Sequence, residues 1–171
     1  KIELLNVPPV VLEQFTKIGK MGVLPEDFTY GNFKDFFTIS HNDGTKSYAA
    51  TLIKFPEDID GNPTQEREVV TADIIDGKLA GYSETSLLDV EDPYLKDHPF
   101  VRYIKTVTDF QRRGLATRRY AYMNALTQMQ YGLPLYSSAI QEPAALAVWK
   151  KLTKKGHAKK VPNQKRYVYI G

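Results

Sequence analysis

The stretch Gln111-Arg112-Arg113-Gly114-Leu115-Ala116 has the residue types that a loop needs to hold a diphosphate. A strand-like segment, Val101 to Thr108, runs into it, and an amphipathic run from Leu115 to Tyr131 leaves it. That run carries Leu115, Tyr122, Leu126 and Met129 at helical spacing, flanked by Ala116, Tyr120 and Met123. A helix that starts inside the loop leaves its first N–H groups without intrahelical acceptors. They sit at the positive end of its dipole, where phosphate oxygens can bind. Gly114 lets the backbone come close to a ligand, Ala116 keeps the next turn small, and Arg112 and Arg113 can add charge-assisted contacts at the rim. The pattern lacks the G-x-G-x-x-G of a dinucleotide site and the Gly-Lys-Ser/Thr ending of a P-loop. Taken alone it also fits an ordinary strand–turn–helix with a surface arginine pair.

The elements around the loop can be read in order. Pro9 opens a short helix with apolar residues at 11, 12, 15 and 18, stopped by Gly19, and Leu24 to Gly31 reads as loop or broken helix. Phe36–Ser40 and Ser47–Ile53 flank Asn42-Asp43-Gly44, a hairpin signal. Phe55 to Gln65 is an acidic excursion. Glu68–Ile75 and Lys78–Leu88 form a second hairpin about Asp76-Gly77, and Glu91 to Pro99 is another acidic connection. After the long helix, Gly132 and Pro134 stop the chain. A helix follows from Pro143 to Gly156, with Lys150, Lys151, Lys154 and Lys155 near its negative pole, and Val161 to Lys165 turns a last hairpin. There are no repeats and no domain linker.

Composition bounds the rest. A chain of 171 residues suits one domain, long enough to bury roughly 70% of its unfolded surface. Hydrophobic content of 42% and charged content of 25% are ordinary for a globular protein. No apolar run nears membrane-spanning length, no signal-like start is present, and the reading is of a cytoplasmic protein without membrane partners. Without cysteine there is no thiol nucleophile or thiolate metal site, and the three scattered histidines, His41, His98 and His157, lack ligand spacing. The net charge of +3 hides a polarity: residues 1–97 hold 18 acidic and 9 basic side chains, residues 98–171 hold 2 and 14. A basic half suits an anionic cofactor and an acidic half a cationic acceptor. Nucleic acid is the other partner a basic half suggests, less favoured because no aromatic-interleaved basic motif occurs.

The run Ile104 to Thr117 resembles the acyl-CoA-binding core of the GNAT superfamily, the acetyl-CoA-dependent N-acetyltransferases, in which a strand is followed by Q/R-x-x-G-x-G/A and a long helix. The resemblance extends in order over Glu68 to Ile170: the Asp76-Gly77 hairpin, the strand at Leu135, the helix Pro143–Leu152 and the closing strands His157–Ile170. It implies an α/β fold, a mixed, twisted sheet of six or seven strands splayed beside the Gln111 loop, with helices on both faces. It implies one domain over 1–171, with a helix and hairpin part over 1–67 bordering the acceptor and an acyl-CoA-binding core over 68–171.

By that resemblance acetyl-CoA is held by Ile104, Lys105 and Thr106 on the strand. Gln111, Arg112, Arg113, Gly114, Leu115, Ala116 and Thr117 hold it in the loop, and Trp149 from the following helix. The implied reaction is acetylation of a primary amine on a protein, a small molecule or an aminoacyl-tRNA, with no metal. A non-catalytic acyl-CoA-binding or nucleic-acid-binding module on the same scaffold is the alternative, and a homodimer is left open. A lysine-like amine of pKa about 10.4 is only about 0.04% neutral at pH 7, a penalty of roughly 4.6 kcal/mol that a general base offsets in part. Where the family carries a proton-donating tyrosine, this chain has Trp149; where some members carry a glutamate base it has Ser137, and where an asparagine is frequent it has Glu142. Glu84 as base and Tyr136 as acid are the replacement candidates. Asp109 and Glu142 near the cofactor segment, His98 before its strand, and Tyr103 as a proton donor are further candidates.

Overall fold

The structure, a computed structural model, describes residues 2–4, 33–54, 59–62, 66–86, 98–111, 113–138 and 141–171. The helix expected from Pro9, the loop at Leu24–Gly31 and most of the two acidic connections lie outside the described residues. Nine strands form one sheet: β1 (Ile2–Leu4), β2 (Phe33–Ser40), β3 (Lys46–Lys54), β4 (Glu66–Ile75), β5 (Lys78–Ser86), β6 (Phe100–Thr106), β7 (Tyr136–Ser137), β8 (Ala158–Lys160) and β9 (Tyr167–Tyr169). Their order is β1-β2-β3-β4-β5-β6-β7-β9-β8. Every pairing is antiparallel except β6 with β7. The two described α-helices are α1 (Leu115–Tyr131), which connects β6 to β7, and α2 (Pro143–Lys154), which follows β7.

The α/β class and the mixed sheet agree with the reading of the sequence. The strand number does not: nine are present where six or seven were expected. The surplus includes β1, three residues long and too short to show a period of two. The strand before the Gln111 loop begins at Phe100 and ends at Thr106, and Thr108–Phe110 is a 3-10 turn rather than strand. The amide of Val107 leaves the ladder to bond Ala80 O at 2.8 Å, which ends the strand there.

Both faces of the central strands are buried. One cluster joins Ala49, Val69 and Val101 of the sheet to Tyr120, Met123 and Leu126 of α1 and to Trp149 and Leu152 of α2. A second gathers the alternate residues, Ala50, Leu52, Val70, Ala72 and Tyr82. Alternation along a strand sends neighbours to opposite faces, so these strands carry apolar residues at successive positions. Met129 departs from the expected stripe of α1 and is half exposed.

A polar row crosses the first face. Strand register places Ser47 beside Asp73, Asp73 beside Gly81, and Gly81 beside Thr106. The Arg119 side chain, fully buried, lies along this row. Its Nε and Nη2 donate to Asp73 Oδ2 at 2.8 and 2.7 Å, and Nη2 also reaches Thr106 Oγ1 at 3.3 Å. Asp73 Oδ1 accepts from Ser47 Oγ and from the Tyr122 hydroxyl, both at 2.6 Å. A Cβ at Gly81 would collide with the guanidinium and come within 2.8 Å of Lys105 O, so only glycine leaves room for Arg119 to lie flat. His41 Nε2 bonds Ser47 Oγ at 2.7 Å, and because Ser47 donates to Asp73, His41 is the donor. Burial, then the Arg118 charge, holds the His41 imidazole below its ordinary pKa.

Two outcomes follow from this row. Breaking a buried pair by removing one partner leaves the other charge uncompensated, at a cost of about 3–5 kcal/mol. Asp73→Ala should therefore lower the urea midpoint strongly, and Asp73→Leu with Arg119→Met should recover much of the loss; an unchanged midpoint in Asp73→Ala would show that the pair carries no such weight. For His41, the unfolded chain binds its proton more readily than the folded one. Stability is then complete above the unfolded pKa near 6.5 and is lost as pH falls below it. The drop in melting temperature between pH 7.5 and 5 should shrink in His41→Asn, and an equal drop in both proteins would contradict the assignment.

Candidate functional site

β6 and β7 pair at Phe100 with Tyr136 and at Val101 with Ser137, and at no residue beyond. Past Val101 the two strands part. β6 stays paired with β5 on its other side as far as Thr106, apart from Arg102 at a bulge, so the residues 102–106 keep one free edge facing the gap. A cavity of about 560 Å³ occupies that gap, within the range of small-molecule sites. Its walls are the free edge of β6, the loop and first turn of α1, and the N-terminal half of α2.

Of the expected cofactor contacts, Ile104, Lys105 and Thr106 border the cavity from β6, and Gln111 and Gly114 from the loop. Leu115, Ala116 and Thr117 border it from α1, and Trp149 from α2. Arg113 does not. Its guanidinium lies over the Phe110 ring, 5.2 Å from the centroid, and donates to Asp109 O at 3.4 Å. Arg112 lies outside the described residues. The loop is tied back to the strand it leaves, because Gln111 Nε2 donates to Thr106 O at 3.2 Å.

Gly114 is the N-cap of α1, with φ 74° and ψ 11° and no side-chain cap. That left-handed backbone suits glycine. The first helical hydrogen bond runs from Arg118 N to Gly114 O at 3.1 Å, which leaves the amides of Leu115, Ala116 and Thr117 with no helical acceptor. A bare helix terminus therefore meets the free edge of β6 in one cavity. The two supply the same thing, backbone N–H groups awaiting acceptors.

The side chains proposed as catalysts lie elsewhere. Glu84 is buried on β5, level with Val70 on the second face, and does not border the cavity. Tyr136 stands half-buried on β7 with its ring 4.9 Å from that of His98, also away from the cavity wall. Ser137 is buried with its hydroxyl committed: it accepts from Tyr167 N at 2.7 Å and donates to Ser138 O at 3.0 Å. Glu142 does border the cavity. It is exposed at the N-cap of α2 but makes no side-chain cap bond, so its carboxylate is not spent on the helix. Asp109, exposed in the 3-10 turn, does not border the cavity. His157 Nδ1 bonds Gly171 O at 2.8 Å, far along the chain from the loop. Tyr103 borders the cavity and stacks on Tyr82, centroids 5.8 Å apart; burial, then Tyr103, pushes the Tyr82 hydroxyl up to about 12.

Two residues gain roles that the sequence did not assign. Arg119 reaches the cavity wall from beneath, through its bond to Thr106. Tyr120, buried beside it, meets Trp149 edge-on with centroids 4.9 Å apart, and burial raises its hydroxyl well above the ordinary phenol range. It is a neutral hydroxyl at neutral pH. The available signal was an arginine at position 119 on the stripe of Leu115, Tyr122 and Leu126, where only a buried acid makes a charge tolerable.

Trp149 is 1% exposed and is held between rings, edge-on to Tyr120 and stacked at 6.0 Å on Tyr167. An indole N–H donates but is a negligible acid, so this residue cannot protonate a departing anion. Trp149→Phe should cost roughly 1–3 kcal/mol of stability and leave kcat of any cavity reaction within about tenfold. A thousandfold loss of kcat with folding and ligand affinity intact would show direct participation of the indole.

Sequence comparison adds no relative to this picture. No protein-family model matches the chain, and no curated protein matches it.

Proposed function

We propose that the protein is an acetyl-CoA-dependent N-acetyltransferase of primary amines, with a GNAT-like arrangement of helices on both faces of the sheet. The observation that carries this reading is the cavity where the free edge of β6 meets the uncapped N-terminus of α1. Few ligands need both. A diphosphate suits the amides of Leu115, Ala116 and Thr117, and an amide-bearing chain such as pantetheine suits the β6 edge, pairing as an added strand would. The burial of the second face at Ala50, Leu52 and Val70 is compatible with helices there.

In the proposed reaction the neutral amine nitrogen attacks the thioester carbonyl carbon. The C–S bond breaks, the thiolate leaves and takes up a proton, and the amine gives one up. A β6 amide pointing into the gap would polarise the carbonyl. Glu142 is the carboxylate that borders the cavity among the described residues, and we assign it the amine proton in place of Glu84. A thiol of ordinary pKa near 8.5 leaves tolerably without a dedicated acid, and the Tyr120 hydroxyl stands nearby as a neutral donor. The acidic balance of residues 1–97 favours an acceptor that carries positive charge.

A second reading, acyl-CoA binding without catalysis, is favoured by one observation: Glu84 and Tyr136 both stand off the cavity. Two variants separate these readings. Gly114→Glu places a carboxylate at the diphosphate position and strains a backbone at φ 74°, so calorimetry should find acetyl-CoA binding abolished with the circular dichroism spectrum unchanged. Unaltered affinity would remove the cofactor assignment. Glu142→Gln should keep acetyl-CoA affinity and lower kcat/KM for the amine by about 10²–10⁴. Tight CoA binding in the wild type with no thiol release from any amine would favour the non-catalytic reading.

A further inference from the structure

At the far end of α2 from the cavity the surface turns strongly basic. Lys150, Lys151, Lys154 and the C-cap Lys155 are all exposed on the last turns of the helix. The spacings 150/154 and 151/155 make two adjacent rows on the side opposite Trp149 and Leu152, which are buried in the core. β8 packs against this end of α2 through Ala158, and Lys160, two residues on and so on the same side of the strand, is exposed beside it. Five lysines thus gather at this end of α2. None of the five has an acidic partner among the described residues.

Local explanations account for part of this surface. Cations near a helix C-terminus gain about 0.3–1 kcal/mol from the dipole, and lysines on an edge strand such as β8 discourage pairing with another sheet. Neither asks for five without a counter-charge among the described residues. The only acids of residues 98–171 are Asp109 and Glu142, one in the 3-10 turn before the loop and one at the opposite end of α2.

We propose that this lysine face docks the phosphodiester backbone of a nucleic acid. The inference stands apart from the acyl-CoA reading, since it uses no residue of the cavity. The chemistry of the patch selects the partner. Lysine is a point charge that suits phosphate, while protein interfaces favour tryptophan, tyrosine and arginine and are depleted in lysine. An anionic membrane surface calls for an apolar band beside the cations, and the apolar face of α2 is already buried against the sheet. Without arginine or an aromatic ring on the patch to read base edges, recognition is of backbone charge and indifferent to sequence.

The test is fluorescence anisotropy with labelled RNA and DNA duplexes of about 20 base pairs, between 50 and 200 mM salt. If four lysines reach phosphates, log K should fall against log salt with a slope near about −3.6. Lys150→Gln, Lys151→Gln, Lys154→Gln and Lys155→Gln combined should flatten that slope and weaken low-salt binding by at least about tenfold, while the same four changed to Arg should retain it. All are exposed, and circular dichroism confirms folding. Binding in Gly114→Glu should match the wild type, and a preference between the two duplexes would say which nucleic acid is the source. No binding to either duplex at 50 mM salt, equal affinity in the glutamine variant, loss of binding in Gly114→Glu, or binding confined to phosphatidylserine vesicles would each overturn the proposal.

Discussion

The buried pair of Asp73 and Arg119 sets the position of everything around the cavity. Arg119 is one turn into α1, so where its guanidinium rests decides where the helix begins and where the amides of Leu115 to Thr117 point. It rests across three strands: Ser47, Asp73, Gly81 and Thr106 lie side by side in the sheet, and Arg119 spans from the second to the fourth. Thr106 is also where β6 stops and where Gln111 ties the loop back. Helix, strand end and loop therefore share one anchor. Arg118 adds a second tie on the solvent side, donating to Asp43 Oδ2 at 3.1 Å and Thr45 Oγ1 at 2.8 Å in the β2–β3 turn.

Buried ion pairs are poor sources of net stability, because desolvation consumes most of the attraction. Hydrophobic residues at 73 and 119 could hold α1 on the sheet as firmly. What they could not supply is direction. A guanidinium that must meet a carboxylate, pass over a glycine and end on a hydroxyl admits one register of helix against sheet, whereas apolar side chains can slide. For the proposed site, in which backbone amides would have to converge on one ligand, register would matter more than a few kcal/mol.

Much of the architecture was legible because its signals are local. The hairpin turns at Asp43-Gly44 and Asp76-Gly77, the helix between Leu115 and the Gly132 stop, and Pro143 at the head of α2 follow from the preferences of single residues. The sequence reads Gly114 as a point of close backbone approach, and its φ of 74° is a backbone that glycine permits. The replacement catalysts were less legible. For Glu84 and Tyr136 a strand's register decides which face a side chain takes, and Glu84 pairs with Val70 and so falls on the second face. The polar row escaped notice because Asp73 and Arg119 are 46 positions apart. Each is nonetheless a lone charge on an apolar stripe, and two such stripes of opposite sign are an invitation to pair.

The early parting of β6 and β7 has a mechanical consequence. An open edge normally lies at the rim of a sheet, where a foreign strand can reach it. Here it lies inside, with five strands on one side and three on the other, joined by a parallel ladder two residues long and by the helices that bridge them. The sheet is in effect two plates with a short weld. An extended ligand lying against residues 102–106 would lengthen that weld, completing a seam that the chain itself leaves unfinished. Such a ligand would be structural as well as chemical, stitching the two plates along residues 102–106 where the chain's own ladder ends at Val101.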